Sequence, residues 1–374
     1  MDEDKSEYIK AQSSLLHQSS LSHFTPDVPS KRMKARGKVV TLYTKEEIES
    51  FFPNLVYVRN FLPEDLAARM LDILLSKRAQ FTHNEFYIAG QKCKSTHSTA
   101  IFKLEADDGD HFGDVGKKRE RPFFPEMKLC QYEIQDKVNE LLAERKPLAT
   151  YQIRKNWCAN LCVGNLFENG KQNLDWHSDK LTAIGPLAIV ASITFGATRI
   201  FRVKKTYSTD GSKINDSTIF NLPLQHNTLL VMLSGTQEEY KHCVPSIEGS
   251  LVERHPVAGD IRINLTYRMI HPALRKGVPK CPICGEGMIL KRMFKHVKTR
   301  GYYFWLCQSQ YKGYKCKGFY FAKFDRMNEE PLKLYTTDIS EATRWVGSDD
   351  SQTLAWMNCH MQSAEDVKEE AVAD

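Results

Sequence analysis

The stretch LDWHSDK, residues 174–180, places a histidine and an aspartate two residues apart in an otherwise apolar-alternating segment. Side chains alternate across a β-strand, so in an extended segment His177 and Asp179 would point to the same side. An imidazole and a carboxylate placed in this way could bind a metal ion. However, the spacing is common by chance, and a solvated strand end is the more ordinary interpretation. A third ligand would decide between the two.

The sequence around this stretch is typical of antiparallel β-structure. Between residues 159 and 270, Gly, Asn, Pro and Asp separate short β-rich runs, which read LAIVASITFG, TRIFRVKK, NTLLVML and IRINLTYRMI. This spacing predicts a sandwich or barrel of strands. Two patterns of helical spacing precede it, at residues 61–81 and 127–144. We therefore predict an α+β protein with helices ahead of the β-core.

Composition narrows the class of protein. The chain has 374 residues and a formal net charge of +6. No apolar run approaches the ~18–20 residues of a membrane span, and the acidic, polar start MDEDKSEYIK argues against a secretory signal. We expect an intracellular, reducing compartment, in which the ten cysteines are thiols or metal ligands. The basic run KRMKARGK, residues 31–38, is consistent with nuclear import or with a soluble leader.

A candidate third ligand is His242, in EEYKHCVP (238–245), directly after the strand pattern NTLLVML. In a double-stranded barrel this segment can lie against the one that carries His177. Two imidazoles and one carboxylate on one face of an octahedron leave three positions open, as in non-haem Fe(II) oxygenases. A structural zinc site would instead be closed.

The open positions suit a co-reductant such as 2-oxoglutarate, whose second carboxylate needs a fixed cation. The stretch RINLTYR (262–268) offers Arg262 and Arg268 at even spacing on one strand, so that both face one side. The ordinary alternative is a pair of exposed basic residues on an edge strand. An inward-pointing pair would be costly without an anion, which favours the functional interpretation.

Four ordered motifs between residues 165 and 269 resemble the AlkB family of Fe(II)- and 2-oxoglutarate-dependent dioxygenases. The family is known for a double-stranded β-helix, or jelly-roll, core, and its members oxidise N-methyl groups on damaged bases and release formaldehyde. Four motifs in order are far more specific than any single one. They read NLFENGKQNLDWHSDK (165–180), ASITFGATRIFRVKK (191–205), LLVMLSGTQEEYKHCVP (229–245) and RINLTYR (262–268).

The resemblance implies a role for each matching residue. His177, Asp179 and His242 would bind Fe(II), and Arg262 and Arg268 would hold the two carboxylates of 2-oxoglutarate, with O2 as the oxidant. Asn165 and Asn264 would support the cosubstrate. Two positions depart from the family: Phe167 replaces a tyrosine that hydrogen-bonds the cosubstrate, and Leu181 replaces an acid that helps to choose the base.

The resemblance predicts demethylation of 1-methyladenine- or 3-methylcytosine-type lesions in DNA. Two alternatives stay open. One is a catalytically weak or inactive nucleic-acid-binding protein, which the departures at Phe167 and Leu181 would favour. The other is a demethylase that acts on RNA, or on a protein. For a base-paired nucleic-acid substrate, the reacting base has to leave the stack, because the target carbon must approach the iron closely.

A second metal site is predicted by Cys281, Cys284, Cys307 and Cys316, spaced C-x2-C-x22-C-x8-C. Four thiolates in two clusters favour a structural zinc ion over disulfides in a reducing compartment. The block resembles a GRF-type zinc finger through TRGYYFWLC (299–307) and CKGFYF (316–321). From Arg275 to Lys323 there are twelve Lys or Arg and one acid, Glu286. Such a basic, aromatic block is typical of a single-strand binder, although some aromatics would form its own core.

The leader contains QSSLSHF, Gln18 to Phe24, which fits a short motif that binds sliding clamps, although such matches often occur by chance. We divide the chain into four predicted regions. They are a disordered leader (1–45), a dioxygenase domain (46–272), a basic four-cysteine zinc finger (273–328) and a polar, acidic tail (329–374).

Overall fold

The computed structural model describes residues 38–88, 91–104, 120–152, 156–207, 218–309, 316–325 and 333–359. All of these described residues belong to one compact unit. The predicted clamp motif, Gln18 to Phe24, lies outside the described residues. Within the described ranges, no helix is long and apolar enough to cross a membrane.

The described residues of this unit form three sheets and seven α-helices. The large sheet has the order β2 (Leu55–Val58), β11 (Thr228–Met232), β8 (Val190–Gly196), β13 (Arg262–Arg268), β6 (Leu161–Phe167), β4 (Gln91–Lys103) and β3 (Thr82–Ile88), with β5 (Arg121–Pro122) beside β4. The small sheet has the order β1 (Val39–Thr41), β10 (Ile219–Leu224), β9 (Arg199–Lys205), β12 (Tyr240–Val244) and β7 (Leu174–His177). The third sheet has the order β14 (Met288–Arg292), β15 (Tyr303–Cys307), β16 (Phe319–Ala322) and β17 (Tyr335–Thr336). The described helices are α1 (Lys45–Phe51), α2 (Glu64–Ser76), α3 (Pro125–Ala143), α4 (Leu181–Ile184), α5 (Thr236–Glu239), α6 (Pro272–Lys276) and α7 (Ser351–Cys359).

The two predicted helices cover the outer face of the large sheet. Helix α2 begins directly after Pro63, which cannot donate a backbone hydrogen bond inside a helix. Helix α3 begins with Pro125 and buries apolar side chains at intervals of three or four residues, so one face is apolar. These faces join the apolar face of the large sheet in one core cluster. The two predicted helices are confirmed, but strands β1–β5 of the two sheets lie before or between them in the chain.

Strand alternation gives the large sheet two different faces. On β13, Ile263, Leu265 and Tyr267 belong to the helix-facing core. Because successive side chains point to opposite faces, Arg262 and Arg268 lie on the face turned towards the small sheet. The same face receives the buried polar side chains Asn165, Ser192, Thr194, Asn264 and Thr266. The side of the large sheet that is away from the helices is therefore polar at its centre.

A second apolar cluster joins the two sheets face to face. It combines Phe167, Val190 and Leu230 from the large sheet with Phe201 and Val244 from the small sheet. Two facing, mainly antiparallel sheets agree with the expected mixed α+β class and with its two-sheet core.

Ordered structure extends beyond two of the predicted boundaries. Strand β1, within the predicted leader, pairs in parallel with β10. In the predicted tail, Leu334 is buried, β17 completes the third sheet, and Asp350 forms a buried ion pair with Arg300. The described part of residues 329–374 therefore packs together with the predicted zinc finger. We call the described parts of residues 273–359 the four-cysteine region.

The four-cysteine region packs directly on the two-sheet core. Leu181 of α4 and Leu274 of α6 share one apolar cluster with Cys281, Met288 and Trp305. The backbone N–H of Leu290 also donates to the Thr182 hydroxyl at 3.1 Å. Leu181, the predicted departure at a base-selecting position, is therefore a packing residue.

A buried polar junction reinforces this contact. The Glu238 carboxylate on α5 accepts hydrogen bonds from the Tyr303 hydroxyl at 3.1 Å and from the Leu187 N–H at 2.7 Å. Arg292 donates to the backbone carbonyls of Glu238, at 2.9 Å, and of Trp345, at 3.0 Å. Burial raises the pKa of Glu238 above its ordinary value, and Arg292 partly offsets that effect. The four-cysteine region thus contacts α4 and α5, which lie beside His177, Asp179 and His242 in the chain.

We predict that Leu181→Asp lowers the free energy of unfolding by about 3–5 kcal/mol, because it buries a charge without a partner. Leu181 is 6% exposed. Lys180→Asp, at the exposed neighbouring position, should change stability by less than about 0.5 kcal/mol. Denaturant midpoints would compare the two variants, and equal midpoints would contradict this packing.

Candidate functional site

A β-bulge places the first histidine of the site. His177 pairs with His242 between β7 and β12, and Leu174 pairs with Val244. Asp175 and Trp176 therefore lie opposite the single residue Cys243. The extra residue shifts the alternation, so that Leu174 and His177 both turn to the interior side. The two imidazole centroids lie 4.3 Å apart.

Asp179 reaches the same point from a loop. The prediction that His177 and Asp179 share one strand was wrong, because β7 ends at His177. The N–H of Asp179 donates to the Gln237 side-chain oxygen at 2.8 Å, and Arg268 Nε donates to Asp179 Oδ2 at 2.8 Å. The neighbouring hydroxyl of Ser178 donates to the Tyr240 carbonyl at 2.7 Å. These contacts replace the strand as the device that orients the carboxylate.

His177, Asp179 and His242 can share one ion. Their candidate ligand atoms all lie within 4.8 Å of one another, and His177 Nε2 is 3.9 Å from Asp179 Oδ1. His177 Nδ1 lies 2.7 Å from the carbonyl oxygen of Asp175, and this geometry assigns the ring proton to Nδ1. The lone pair then remains on Nε2, which faces the other two groups.

The protonation states also suit a divalent cation. Burial alone would raise the pKa of Asp179, but Arg268, His242 and His177 lower it well below its usual range. Burial, with His177 beside it, lowers the pKa of His242 to about 3. At neutral pH the site therefore presents a carboxylate and an uncharged imidazole, the forms in which both groups bind metals.

Arg262 is a buried cation with unsatisfied donors. It is 2% exposed, and its Nη2 donates to the Thr194 hydroxyl at 3.1 Å. Its Nε and Nη1 have no hydrogen-bond partner among the described residues. Burial, with Arg199 nearby, lowers the pKa of Arg262 to about 9, so the group is still charged at neutral pH. A buried, charged fork with two open donors fits the carboxylate of a ligand.

Arg199 and Arg268 differ from Arg262 because the protein itself engages them. Arg199 donates to the carbonyls of four residues, which are Asn169, Gly170, Gln172 and Pro245. Arg268 donates to Asp179 and to the Thr266 carbonyl. Both arginines of RINLTYR face one side, as predicted, but Arg268 lies at the metal-binding end. The sequence gives no sign that Arg199 is a structural cation.

Asn165 and Asn264 are direct neighbours across β6 and β13. The Asn264 amide donates to the Ser192 hydroxyl at 2.8 Å and to the Ile193 carbonyl at 3.0 Å, while its oxygen accepts from Thr266. Asn264 therefore supports the pocket wall through protein contacts. The predicted contact of either asparagine with a cosubstrate stays a prediction.

Phe167, the second departure, lines the same space. Its ring stacks on His97 with centroids 5.2 Å apart and lies 5.4 Å from the Arg262 guanidinium carbon. It therefore offers Arg262 an aromatic face and no hydroxyl. Gln237 and Thr194, which orient Asp179 and Arg262, were missed from the sequence because neither carries a recognisable spacing.

The four predicted cysteines form a compact cluster. The sulfur separations are 3.4 Å for Cys284–Cys307 and 3.6 Å for both Cys281–Cys316 and Cys284–Cys316. These distances are far beyond a disulfide bond, and none of the four cysteines forms one. Four thiolates at about 2.3 Å from one zinc ion would lie roughly 3.8 Å apart, so the cluster fits such an ion.

Most aromatics around this cluster face inwards. Tyr303, Phe304, Trp305 and Phe321 are fully buried. These four residues therefore form part of the block's own core, and they are not available to stack on bases.

Comparison with known proteins gives the family. The 2OG-Fe(II) oxygenase superfamily matches residues 54–268, more than half of the chain. Alpha-ketoglutarate-dependent dioxygenase alkB homolog 3 is 40% identical in Bos taurus, over 30% of this chain and 37% of that protein. The same homolog in Homo sapiens is 38% identical, over 32% and 39%. The chain thus spans about two fifths of the length of these relatives.

Two further comparisons are more distant. DNA oxidative demethylase ALKBH2 of Arabidopsis thaliana is 26% identical over 58% of this chain and 66% of that protein. A solved structure described as "The structure of OsALKBH1" aligns with a TM-score of 0.38 and 18% identity, over 58% of this chain and 98% of that one. Because the superfamily match extends over the strands that carry the site, the chain belongs to the 2OG-Fe(II) oxygenase superfamily.

Proposed function

We propose that this protein is an Fe(II)- and 2-oxoglutarate-dependent demethylase of N-alkylated bases in DNA. The observation that carries the proposal is the buried Arg262, whose Nε and Nη1 lack partners, on the same sheet face as Arg268, which pairs with the metal-site residue Asp179. Relatives named as alkB homologues and as DNA oxidative demethylases support the substrate class.

His177, Asp179 and His242 would hold the iron. When bound, iron and 2-oxoglutarate activate O2 so that an N-methyl carbon is hydroxylated, and the product loses formaldehyde. The chain contributes position. The Asp175 carbonyl fixes the tautomer of His177, and Arg268 and Gln237 fix Asp179. Buried polar groups held in this way reorganise little when the metal binds.

Arg262 would bind one carboxylate of 2-oxoglutarate, and Arg268, at the metal end, would face the other. Phe167 would close the side of the pocket on which the family has a tyrosine. It supplies ring contact to Arg262 in place of a hydrogen bond to the cosubstrate. The carboxylate would therefore rest on the guanidinium and on Thr194.

We infer that the four-cysteine cluster holds a structural zinc ion and that the region around it binds single-stranded nucleic acid. The sulfur geometry supports the zinc site, and the basic composition supports the binding of nucleic acid. Nuclear localisation and clamp binding through Gln18 to Phe24 stay predictions from the sequence.

We predict succinate release that depends on methylated oligonucleotide and is abolished in His177→Ala, because the loss of one of three ligands leaves the iron poorly held. Succinate would be measured with single-stranded DNA, duplex DNA and RNA that carry 1-methyladenine or 3-methylcytosine. Unmethylated oligonucleotides of the same sequence are the control. Binding without turnover on every substrate would favour the inactive-binder alternative, and turnover on RNA alone would favour the RNA alternative.

Arg262→Met should abolish the rise in unfolding temperature that 2-oxoglutarate causes with Mn²⁺ in place of Fe²⁺. 2-Oxoglutarate at about 100 times its Kd should raise the free energy of unfolding by about 2.7 kcal/mol, and the variant should lose this increase. Its stability without ligand should be unchanged or higher, because an unpaired buried charge is removed. Arg199→Met is the matched control. It should be destabilised without ligand, because four carbonyls lose their donor.

Purified protein should contain one zinc ion per chain at the four-cysteine cluster. Cys284→Ser should lower the zinc content and the unfolding temperature, because three thiolates hold zinc less tightly than four. Cys359→Ser, at an exposed free cysteine of α7, should change neither. Elemental analysis would measure the metal, and full zinc content in Cys284→Ser would contradict the assignment.

A further inference from the structure

The outer face of the small sheet carries a pair of lysines directly opposite each other. Lys204 on β9 and Lys241 on β12 are register partners. Lys204 Nζ also lies 4.4 Å from the centroid of the Trp176 ring. Like charges directly across an antiparallel pair are destabilising, so this arrangement is unfavourable for the sheet alone.

The four-cysteine region adds two more lysines to this surface. Lys241 Nζ lies 5.5 Å from the centroid of the Phe294 ring, and Phe294 precedes Lys295. Strand β14 buries Arg292 at the junction with Glu238, whereas its neighbour Lys291 is half-exposed. The Phe294 contact thus brings Lys295 beside Lys241, and Lys291 lies on the outer side of β14. We call Lys204, Lys241, Lys291 and Lys295 the lysine surface.

The positive charges of the lysine surface repel one another. Lys241 interacts electrostatically with each of Lys204, Lys291 and Lys295. Within the described ranges, Lys204, Lys241 and Lys291 make no ion pair with a carboxylate. Asp175 lies on the same outer face, opposite Cys243 at the β-bulge. Among the described residues, Lys204 and Lys241 thus outnumber Asp175 on this face.

The surface lies behind the wall that holds the metal ligands. Lys241 directly precedes His242, and Trp176 directly precedes His177. Because alternate side chains point to opposite faces, these residues lie outside and the histidines inside. An anion bound here would run along the back of the metal site, one sheet thickness from the reaction.

We propose that the lysine surface binds the phosphate backbone of the substrate strand, outside the catalytic pocket, and that both the small sheet and the four-cysteine region contribute to it. This inference rests on the proposed function and extends it. Four accessible lysines, three half-exposed and Lys295 exposed, suit contact with phosphates, since each contact releases a counterion. It also supplies an anchor that the buried aromatics of the four-cysteine region do not.

The test is the affinity of the full chain for an unmodified single strand, measured by fluorescence anisotropy over a range of salt concentrations. Lys204→Gln with Lys241→Gln should weaken binding and lower the slope of log K against log salt by about 1.4, or about 0.7 for each phosphate contact. The unfolding temperature should be unchanged or higher, because like-charge repulsion is removed. DNA and RNA of one sequence distinguish the two sources of phosphate.

The matched control is Lys128→Gln with Lys146→Gln, which removes two exposed lysines from the helical side of the large sheet. It should leave the salt slope unchanged. The proposal is overturned by an unchanged slope in the first double variant, by an equal fall in the control, or by a lower unfolding temperature that shows a structural role. None of these measurements needs iron, 2-oxoglutarate or turnover. A failed demethylase assay is therefore distinguishable from a failed binding surface.

Discussion

The ion pair between Arg268 and Asp179 is the contact on which the site depends most. Asp179 belongs to the loop after β7 of the small sheet, and Arg268 ends β13 of the large sheet, so the pair joins the two sheets where the ligand atoms meet. A buried ion pair contributes little net stability, because desolvation offsets much of its attraction. What it contributes here is geometry: it keeps a buried carboxylate charged and oriented beside His177 and His242.

The same alternation that builds the core also builds the pocket. Along β13, odd-numbered residues fill the helix-facing core and even-numbered residues face the small sheet. Most of the space between the sheets is apolar, so the few polar side chains there are expensive unless they are satisfied. Asn264 and Arg268 are satisfied by the protein, whereas Arg262 keeps two donors open. The position of the unsatisfied donors is what distinguishes a binding group from a structural one.

The sequence predicted the ligand set better than it predicted how the ligands are held. His177, Asp179 and His242 were found by residue type and order, and the structure brings them together. The shared strand was wrong, because a bulge and a loop contact replace simple alternation, and neither leaves a pattern in composition. The resemblance marked Leu181 as a departure at a base-selecting position. Its packing left no local pattern, because its cluster partner Cys281 is a hundred residues away in sequence. The polar composition of residues 333–359 concealed their packing, since Asp350 is buried through an ion pair.

The junction at Glu238 alters the interpretation of the four-cysteine region. A region that only bound nucleic acid would need no more than a flexible link to the core. Instead, Tyr303 and Arg292 contact Glu238 of α5, and Gln237 of the same helix orients Asp179. Deletion of residues 275–326 would therefore also expose Leu181 and remove the contacts of Tyr303 and Arg292 with Glu238, so it could not isolate a binding role. Strand β14 shows how the two roles can be separated: Arg292 points into the junction, and the preceding residue, Lys291, points away from it. Substitutions on the outer side can then change the charge of the surface without changing the contact that supports the metal site.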